Sequence, residues 1–455
     1  MPPVLALFLC FGFIAFAYRV DAKRAPGVSW GLWIPLIWIL ILGSRPVSLW
    51  FNQGGLYQTL EGSPVDATIY SLLICAAGVV LSKRKISWHE LFARNRILIL
   101  LLLYMAVSVL WTDAPFASFK RLIKMLGMPA MALVVLTEDN PAVALKTLAR
   151  RCAYVLIPLS ETLNKYFFSL AVRFDDWTGA MMFSGAAESK NMLGQMCFIE
   201  SLLLIWILWQ KGEQEPAHLR RTQFLLDASI LTLAIYLLFK AHSSTSLVCF
   251  IIGAAVLLGG NLRFVRWRIA TWLGVAAAIF VLLELTVGVF GSFTAALGRD
   301  PTLTNRTDIW RELWALRGNA LVGTGFEGFW TGERLLAILQ ARNINEAHNG
   351  YLEVFLNLGA IGLTLWLLLI GAAYKNCRQL IVSNYRLGQI GMSLFAAFLI
   401  YNLAESGIKG LSFILFFFFL IAINVADRDR TELIEETEVP FGASRLARTE
   451  AASVR

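Results

Sequence analysis

Thirteen apolar runs separated by polar connectors decide what this chain can fold into. They cover residues 4–18, 29–42, 67–81, 97–111, 122–136, 152–170, 192–209, 224–239, 246–258, 269–290, 351–373, 390–403 and 411–426. About 20 apolar residues of helix cross a bilayer core, and shorter runs suffice where flanking side chains snorkel. Lipid offers the backbone no hydrogen bonds, so only helices and closed barrels span it. The runs lack the in–out alternation of barrel strands. The predicted fold is an all-α, polytopic integral membrane bundle of about 12–13 transmembrane helices. With 57% hydrophobic and 16% charged residues, an ordinary soluble domain is excluded.

Lysine and arginine orient the bundle. Segments 19–24, 83–96, 146–151, 211–221, 263–268, 375–386 and the tail after Ala426 hold 3, 5, 3, 3, 3, 3 and 5 basic residues. They fall on alternate sides of the runs, as the positive-inside rule requires of cytoplasmic loops. The net charge of +9 is mainly this signal and calls for no nucleic-acid partner. The N-terminus and the long connector 291–349 then lie outside, facing the periplasm of a bacterial inner membrane. Residues 1–426 form one membrane domain, and 427–455 a polar, mixed-charge cytoplasmic tail expected to be disordered. Ala15-Phe16-Ala17 resembles a signal-peptidase site, but the basic residues follow the apolar run instead of preceding it, so the first span is read as retained. No cysteine pair falls outside, which argues against a disulfide framework or a cysteine metal site.

The polar stretch 298–349 is the one connector with room for a site. It carries six arginines, six acidic residues and a single histidine, so any anion site must come from local placement. A helix is predicted from Arg306, capped by Asn305, with Ile309, Trp310, Leu313, Trp314 and Leu316 at helical spacing and the tryptophans at the membrane interface. Glycines 318, 323, 325 and 328 predict tight turns, and a second helix follows over 333–342. Of the four histidines, only His242 and His348 fall on the outer side. An imidazole, with a pKa near 6.5, suits proton transfer. His348 is also in the place of an ordinary interfacial polar tip.

Several signatures occur in order: Gly298-Arg299-Asp300-x-Thr302-Leu303-Thr304-x-Arg306-Thr307-Asp308-Ile309-Trp310, then Gly323-x-Gly325-Phe326, then Ala347-His348-Asn349-Gly350-Tyr351-Leu352-Glu353, then Leu358-Gly359-x-Ile361-Gly362. Together with Lys190-Asn191-x-Leu193-Gly194 and Ser243-Ser244-Thr245-Ser246-Leu247, they resemble the O-antigen ligase and polymerase superfamily, most of all its succinoglycan-type exopolysaccharide polymerase branch. The resemblance implies a metal-independent, inverting glycosyltransferase with a GT-C-like fold and no cofactor. It would take glycan from an undecaprenyl-diphosphate carrier and join it to an acceptor hydroxyl. For a polymerase the acceptor is another lipid-linked unit; for a ligase it is lipid A-core. A chain-length regulator and a repeat-unit flippase are the implied protein partners.

Carried over by motif, Arg306 and then Arg299 are the candidates to hold the leaving diphosphate, since a guanidinium fork binds phosphate oxygens bidentately. His348 corresponds to the family histidine that takes or orients the acceptor's proton, with Asn349 and Glu353 positioning it. Lys190 and Asn191 are substrate-binding candidates. Ser189 and Ser244 stand where the family often has a histidine and a basic residue, and Lys190, Lys240 or His242 could supply the missing charge. Lys120 and Arg121 are further anion-site candidates, or equally a pair that binds lipid headgroups. Asp175-Asp176 is the candidate for a metal-dependent alternative. Asp227 and Glu200 lie inside spans, where acids are costly; a transporter would use them as an ion path, and otherwise they hydrogen-bond within the bundle. A carrier-lipid flippase would share the arginines but not need the histidine.

Overall fold

The computed structural model describes residues 1–23, 27–51, 63–174, 179, 181–209, 217–260, 306–342 and 344–425. Its principal helices are α1 Pro3–Ala22, α2 Trp33–Gly43, α3 Pro64–Ser82, α4 Trp88–Arg94, α5 Arg96–Ser108, α6 Pro115–Leu136, α7 Pro141–Tyr166, α8 Lys190–Leu208, α9 Ala217–Lys240, α10 Ser244–Gly259, α11 Arg306–Ala315, α12 Gly332–Arg342, α13 Gly350–Ser383, α14 Tyr385–Ala404 and α15 Phe413–Ala422. A single hairpin, β1 Val172–Phe174 against β2 Met181–Phe183, is the sheet content of the described residues. The chain is an all-α integral membrane protein. Every predicted apolar run coincides with a helix except 269–290, which lies outside the described residues, as do Arg299, Asn305, Asp175-Asp176 and the tail.

Not every run is a full-length span. Among the described residues, Pro3–Ala22, Pro64–Ser82, Lys190–Leu208, Arg221–Lys240, Gly350–Ser383 and Tyr385–Ala404 are long and apolar enough to cross a membrane, and α4–α5 adds a pair bent by 86°. Trp30–Gly43, Ser244–Gly259 and Phe413–Ala422 are shorter apolar helices. The run 152–170 is also corrected: α7 starts at Pro141 and ends at Tyr166, because Asn140 caps it by accepting from Val143 N at 3.1 Å.

Burial grades from rim to centre. α8, α14 and α15 are almost wholly enclosed, whereas α1 and α3 turn most of their side chains outward, as lipid-facing helices do. Phe416, Phe417, Phe418 and Phe419 of α15 are fully buried, and Phe418 stacks on Phe398 with centroids 4.2 Å apart. Polar contacts sort into two ends. One end joins Arg84 to Glu138, Arg151 to Asp21 at 2.8 Å, and the Trp206 indole to the Arg386 carbonyl at 2.8 Å. These belong to the basic connectors. The opposite end joins Phe326 N to Ser108 Oγ at 3.0 Å, Arg334 to Asp113 at 3.2 Å, and Arg45 to the carbonyls of Gly185, Ala186 and Ala187.

The acids within spans behave differently from each other. Asp227 accepts from Arg150 at 3.0 Å, from Gln223 at 3.0 Å and from Tyr154, so it is consumed by the bundle. Glu200 is fully buried: neither carboxyl oxygen meets a nitrogen or oxygen donor among the described residues, and its hydrogen-bonding neighbour is the Cys152 thiol.

The long connector is locked to the bundle by a break in α13. Gly359 takes φ 64° and ψ −165°, which frees helix amides to bond elsewhere. Ala360 N then donates to Ala320 O at 2.9 Å, and Ile361 N to Leu321 O at 3.1 Å. A side chain at Gly359 would collide with the Leu321 backbone, and one at Gly323 with the Asn357 backbone. Backbone lies directly on backbone here, which only glycine permits.

Candidate functional site

The site is assembled around a residue that motif reading does not single out. Glu405, at the C-terminus of α14, is 4% exposed. Its Oε1 accepts from an Arg306 guanidinium nitrogen at 3.0 Å and from Asn191 Nδ2 at 3.1 Å. Its Oε2 lies 3.2 Å from His348 Nδ1. One carboxylate therefore ties together three predicted site residues from the starts of α8 and α11 and the entry to α13. A second Arg306 nitrogen donates to the Ala404 carbonyl.

Each partner arrives by a local cause. Ser189 caps α8 by accepting from Met192 N at 3.2 Å, which sets Lys190 and Asn191 in the first turn. Asn349 caps α13 in the same way through Leu352 N at 3.0 Å, and its Nδ2 donates to Leu403 O at 3.3 Å. Between them His348 sits at φ 49°, a left-handed conformation that non-glycine residues rarely adopt. The loop around it over-determines that backbone. Trp310 Nε1 donates to Ala347 O at 2.8 Å, and Gly350 N to Glu405 O at 3.1 Å. Glu353 is 2% exposed; it accepts from Ala347 N at 2.6 Å and from Trp330 Nε1 at 2.7 Å. Glu353 thus props the histidine loop and does not line the cavity. Trp310 corrects the expected interfacial orientation, because its indole points inward. Trp314 is half-exposed and stacks on Phe355 with centroids 4.8 Å apart.

His348 Nδ1 is also 3.0 Å from Glu346 Oε1. Desolvation alone would lower the imidazole pKa, but hydrogen bonds and charge from Glu346 and Glu405 outweigh it and push it up to about 9. Burial likewise opposes the Glu346 carboxylate, yet His348, Lys409 and Arg306 hold it below its usual value. That shift favours the charged ring, which lies between two carboxylates. Because Nδ1 faces both acids, Nε2 is the ring atom left for a substrate. One ligand atom each from Glu346, His348 and Glu405 lie within 4.8 Å of one another, so these three could also hold a divalent cation.

A cavity of about 410 Å³ opens beside this cluster, lined by His348, Glu405, Glu346, Lys190, Lys409 and Arg173 among others. It lies at the bundle end away from the basic connectors. Arg306 does not line it and stands behind Glu405. Lys120 and Arg121 are not brought together with the cluster: Lys120 lies over the Phe116 ring at 5.0 Å, and Arg121 donates to Glu327 O at 2.8 Å. Lys240 pairs with Glu161 at 2.9 Å, away from the cavity. Glu405 and Lys409 were legible in principle, as two opposite charges on the seven-residue connector 404–410. Glu346 and Arg173 carried no comparable signal.

Residues 229–367 match the O-antigen ligase family. The chain is also similar to the exopolysaccharide production protein ExoQ of Rhizobium meliloti (strain 1021), 25% identical over 300 residues. That similarity spans 62% of this chain and 65% of the relative. Both findings agree with the superfamily and the exopolysaccharide branch that the motifs resemble. The family match takes in Arg306 and His348 but not Asn191 or Glu405, so half of the cluster lies beyond it.

Proposed function

We propose that this chain is a membrane glycan polymerase that moves glycan from an undecaprenyl-diphosphate carrier onto the hydroxyl of a second lipid-linked unit. The observation that carries this reading is the Arg306–Glu405–His348 cluster with Asn191, beside a cavity at the end away from the basic connectors that Arg173, Lys190 and Lys409 line together with Glu188, Glu346 and Glu405. By the positive-inside rule that end faces the periplasm. Active-site polarity of this kind suits a substrate whose leaving group is a diphosphate.

The chemistry follows from the geometry. Donor diphosphate displaces Glu405 from Arg306, since phosphate and carboxylate oxygens fit the same guanidinium fork. Glu405, still bonded to Asn191, holds Nδ1–H of His348, and it is the neutral form of the ring, after Nε2 has lost its proton to solvent, that offers the Nε2 lone pair to the acceptor. The acceptor oxygen attacks the anomeric carbon from the face opposite the diphosphate. As that C–O bond forms, the hydroxyl proton passes to Nε2 and the bond to the diphosphate breaks. The configuration inverts, and the lipid diphosphate departs with its charge on Arg306, with Arg299 assigned to the same role by motif. The reading uses no metal, because the Arg306 guanidinium supplies the positive charge at the leaving diphosphate that a cation otherwise would. The ligase reading, transfer to lipid A-core, is favoured by the family match and uses the same steps.

The test is glycan ladder length in a deletion strain complemented with variants at matched expression. His348→Ala should reduce polymerisation by about 10²–10⁴-fold. Arg306→Lys keeps the charge but loses the fork, and should remain poorly active. A full-length ladder from both variants would remove these residues from the chemistry.

A further inference from the structure

The β1–β2 hairpin has two chemically distinct faces. Arg173 and Met182 are directly paired across the strands, and both line the cavity. The pair one step along, Phe174 and Met181, points the other way by the period-2 alternation of strands and is 57% and 50% exposed. Phe168 is 45% exposed and packs against Phe174 with centroids 6.2 Å apart. A cation therefore faces the cavity, and an apolar patch continues around the same two strands.

The hairpin is firmly based. Ser184 closes it by donating to Ala171 O from both N, at 2.8 Å, and Oγ, at 3.0 Å. Arg45 grips the three carbonyls that follow and lies 5.3 Å over the Trp50 ring. Its ends run into α7 and α8, so it stands where the bundle leaves the membrane. Arg173 and Lys190 both line the cavity, and among the described residues neither makes an ion pair. Glu188 lines it as well and pairs with neither among those residues.

We infer that this hairpin is the carrier-lipid clamp of the site: Arg173 with Lys190 takes the diphosphate on the cavity side, and Phe168, Phe174 and Met181 take the adjoining isoprenoid chain. Only an amphiphile whose anionic head joins its apolar tail at one point satisfies both faces at once. The inference rests on the transfer reading above and names a binding element for it. It also supplies cations at the cavity surface that meet the diphosphate before it displaces Glu405 from Arg306.

The experiment uses the purified full chain in nanodiscs, titrated calorimetrically with farnesyl diphosphate, inorganic diphosphate and farnesol. Farnesyl diphosphate should bind more tightly than either of the others. Arg173→Gln should weaken both diphosphates by about tenfold or more, as loss of a charged hydrogen bond does, and Arg173→Lys should recover part of that loss. Phe174→Ser with Met181→Ser should weaken farnesyl diphosphate by about tenfold and leave inorganic diphosphate unchanged. If that pair fails to fold, Phe174→Ala at its half-exposed position makes the same test. Wild-type affinity for both diphosphates in Arg173→Gln would overturn the inference. So would wild-type farnesyl diphosphate binding in the apolar variants, which would mean that the patch touches bulk bilayer lipid only. Transfer is read separately, as glycan ladder length: tight, Arg173-dependent farnesyl diphosphate binding by a chain that forms no glycosidic bond would keep the clamp and sink the transfer reading, so the two fail in different ways.

Discussion

Replacing Glu346 with glutamine should change the pH dependence of transfer before it changes its maximum. An imidazole raised from its usual pKa to about 9 prefers its charged form by about 3 kcal/mol. If neutral His348 accepts the hydroxyl proton, only about one ring in a hundred is ready near pH 7. The rate should then rise about tenfold per unit and level off near pH 9. Glu346→Gln keeps a hydrogen-bond acceptor 3.0 Å from Nδ1 but removes one of two negative charges. The His348 pKa should fall by about one unit or more, since a neighbouring opposite charge typically contributes that much. Near neutral pH the base-ready fraction rises up to about tenfold, partly offset by a weaker base, so the variant should match or exceed the parent there. Glu405→Gln should not behave this way, because it also strips Arg306 of its partner. The assay is the initial rate of polyprenyl diphosphate release by protein in nanodiscs, from about pH 6 to about pH 10. A Glu346→Gln profile superimposable on the parent's, or a parent rate that falls as pH rises toward 9, would refute the reasoning.

Other outcomes follow from the same cluster and topology. Transfer should survive EDTA, because the Arg306 guanidinium supplies the charge at the diphosphate that a cation otherwise would; loss of activity restored by magnesium or manganese would instead make Glu346, His348 and Glu405 metal ligands. With an impermeant thiol reagent on intact cells, Ala337→Cys, at an exposed position of α12, should label and Ala451→Cys in the tail should not. The reverse pattern would invert the bundle.

Much of the architecture was legible because lipid forces one solution on an apolar run. The helix starting at Arg306 and the turns at Gly323 and Gly325 were legible for the same local reasons of periodicity and backbone freedom. Span length was less so: Asn140 starts α7 inside a basic connector, and a cap outranks hydropathy there. The site was half legible. Arg306, Asn191 and His348 stand in recognisable motifs, but nothing local says that they meet on one carboxylate. Glu405 lies 57 positions from His348 and 214 from Asn191 and joins them only after α8, α13 and α14 pack. Arg121 stands apart from the cluster and donates to the Glu327 carbonyl, since a guanidinium satisfies a loop carbonyl as readily as a phosphate. Arg173 was invisible because its cavity-facing position depends on hairpin register.

The most direct measurement is reconstitution of the purified chain with a synthetic lipid-linked repeat unit, reading lipid products by mass spectrometry. The predicted result is two repeat units on one carrier together with one equivalent of free carrier diphosphate, and neither product with His348→Ala. Movement of intact lipid-linked unit across the bilayer with no new glycosidic bond and no released diphosphate would contradict the account.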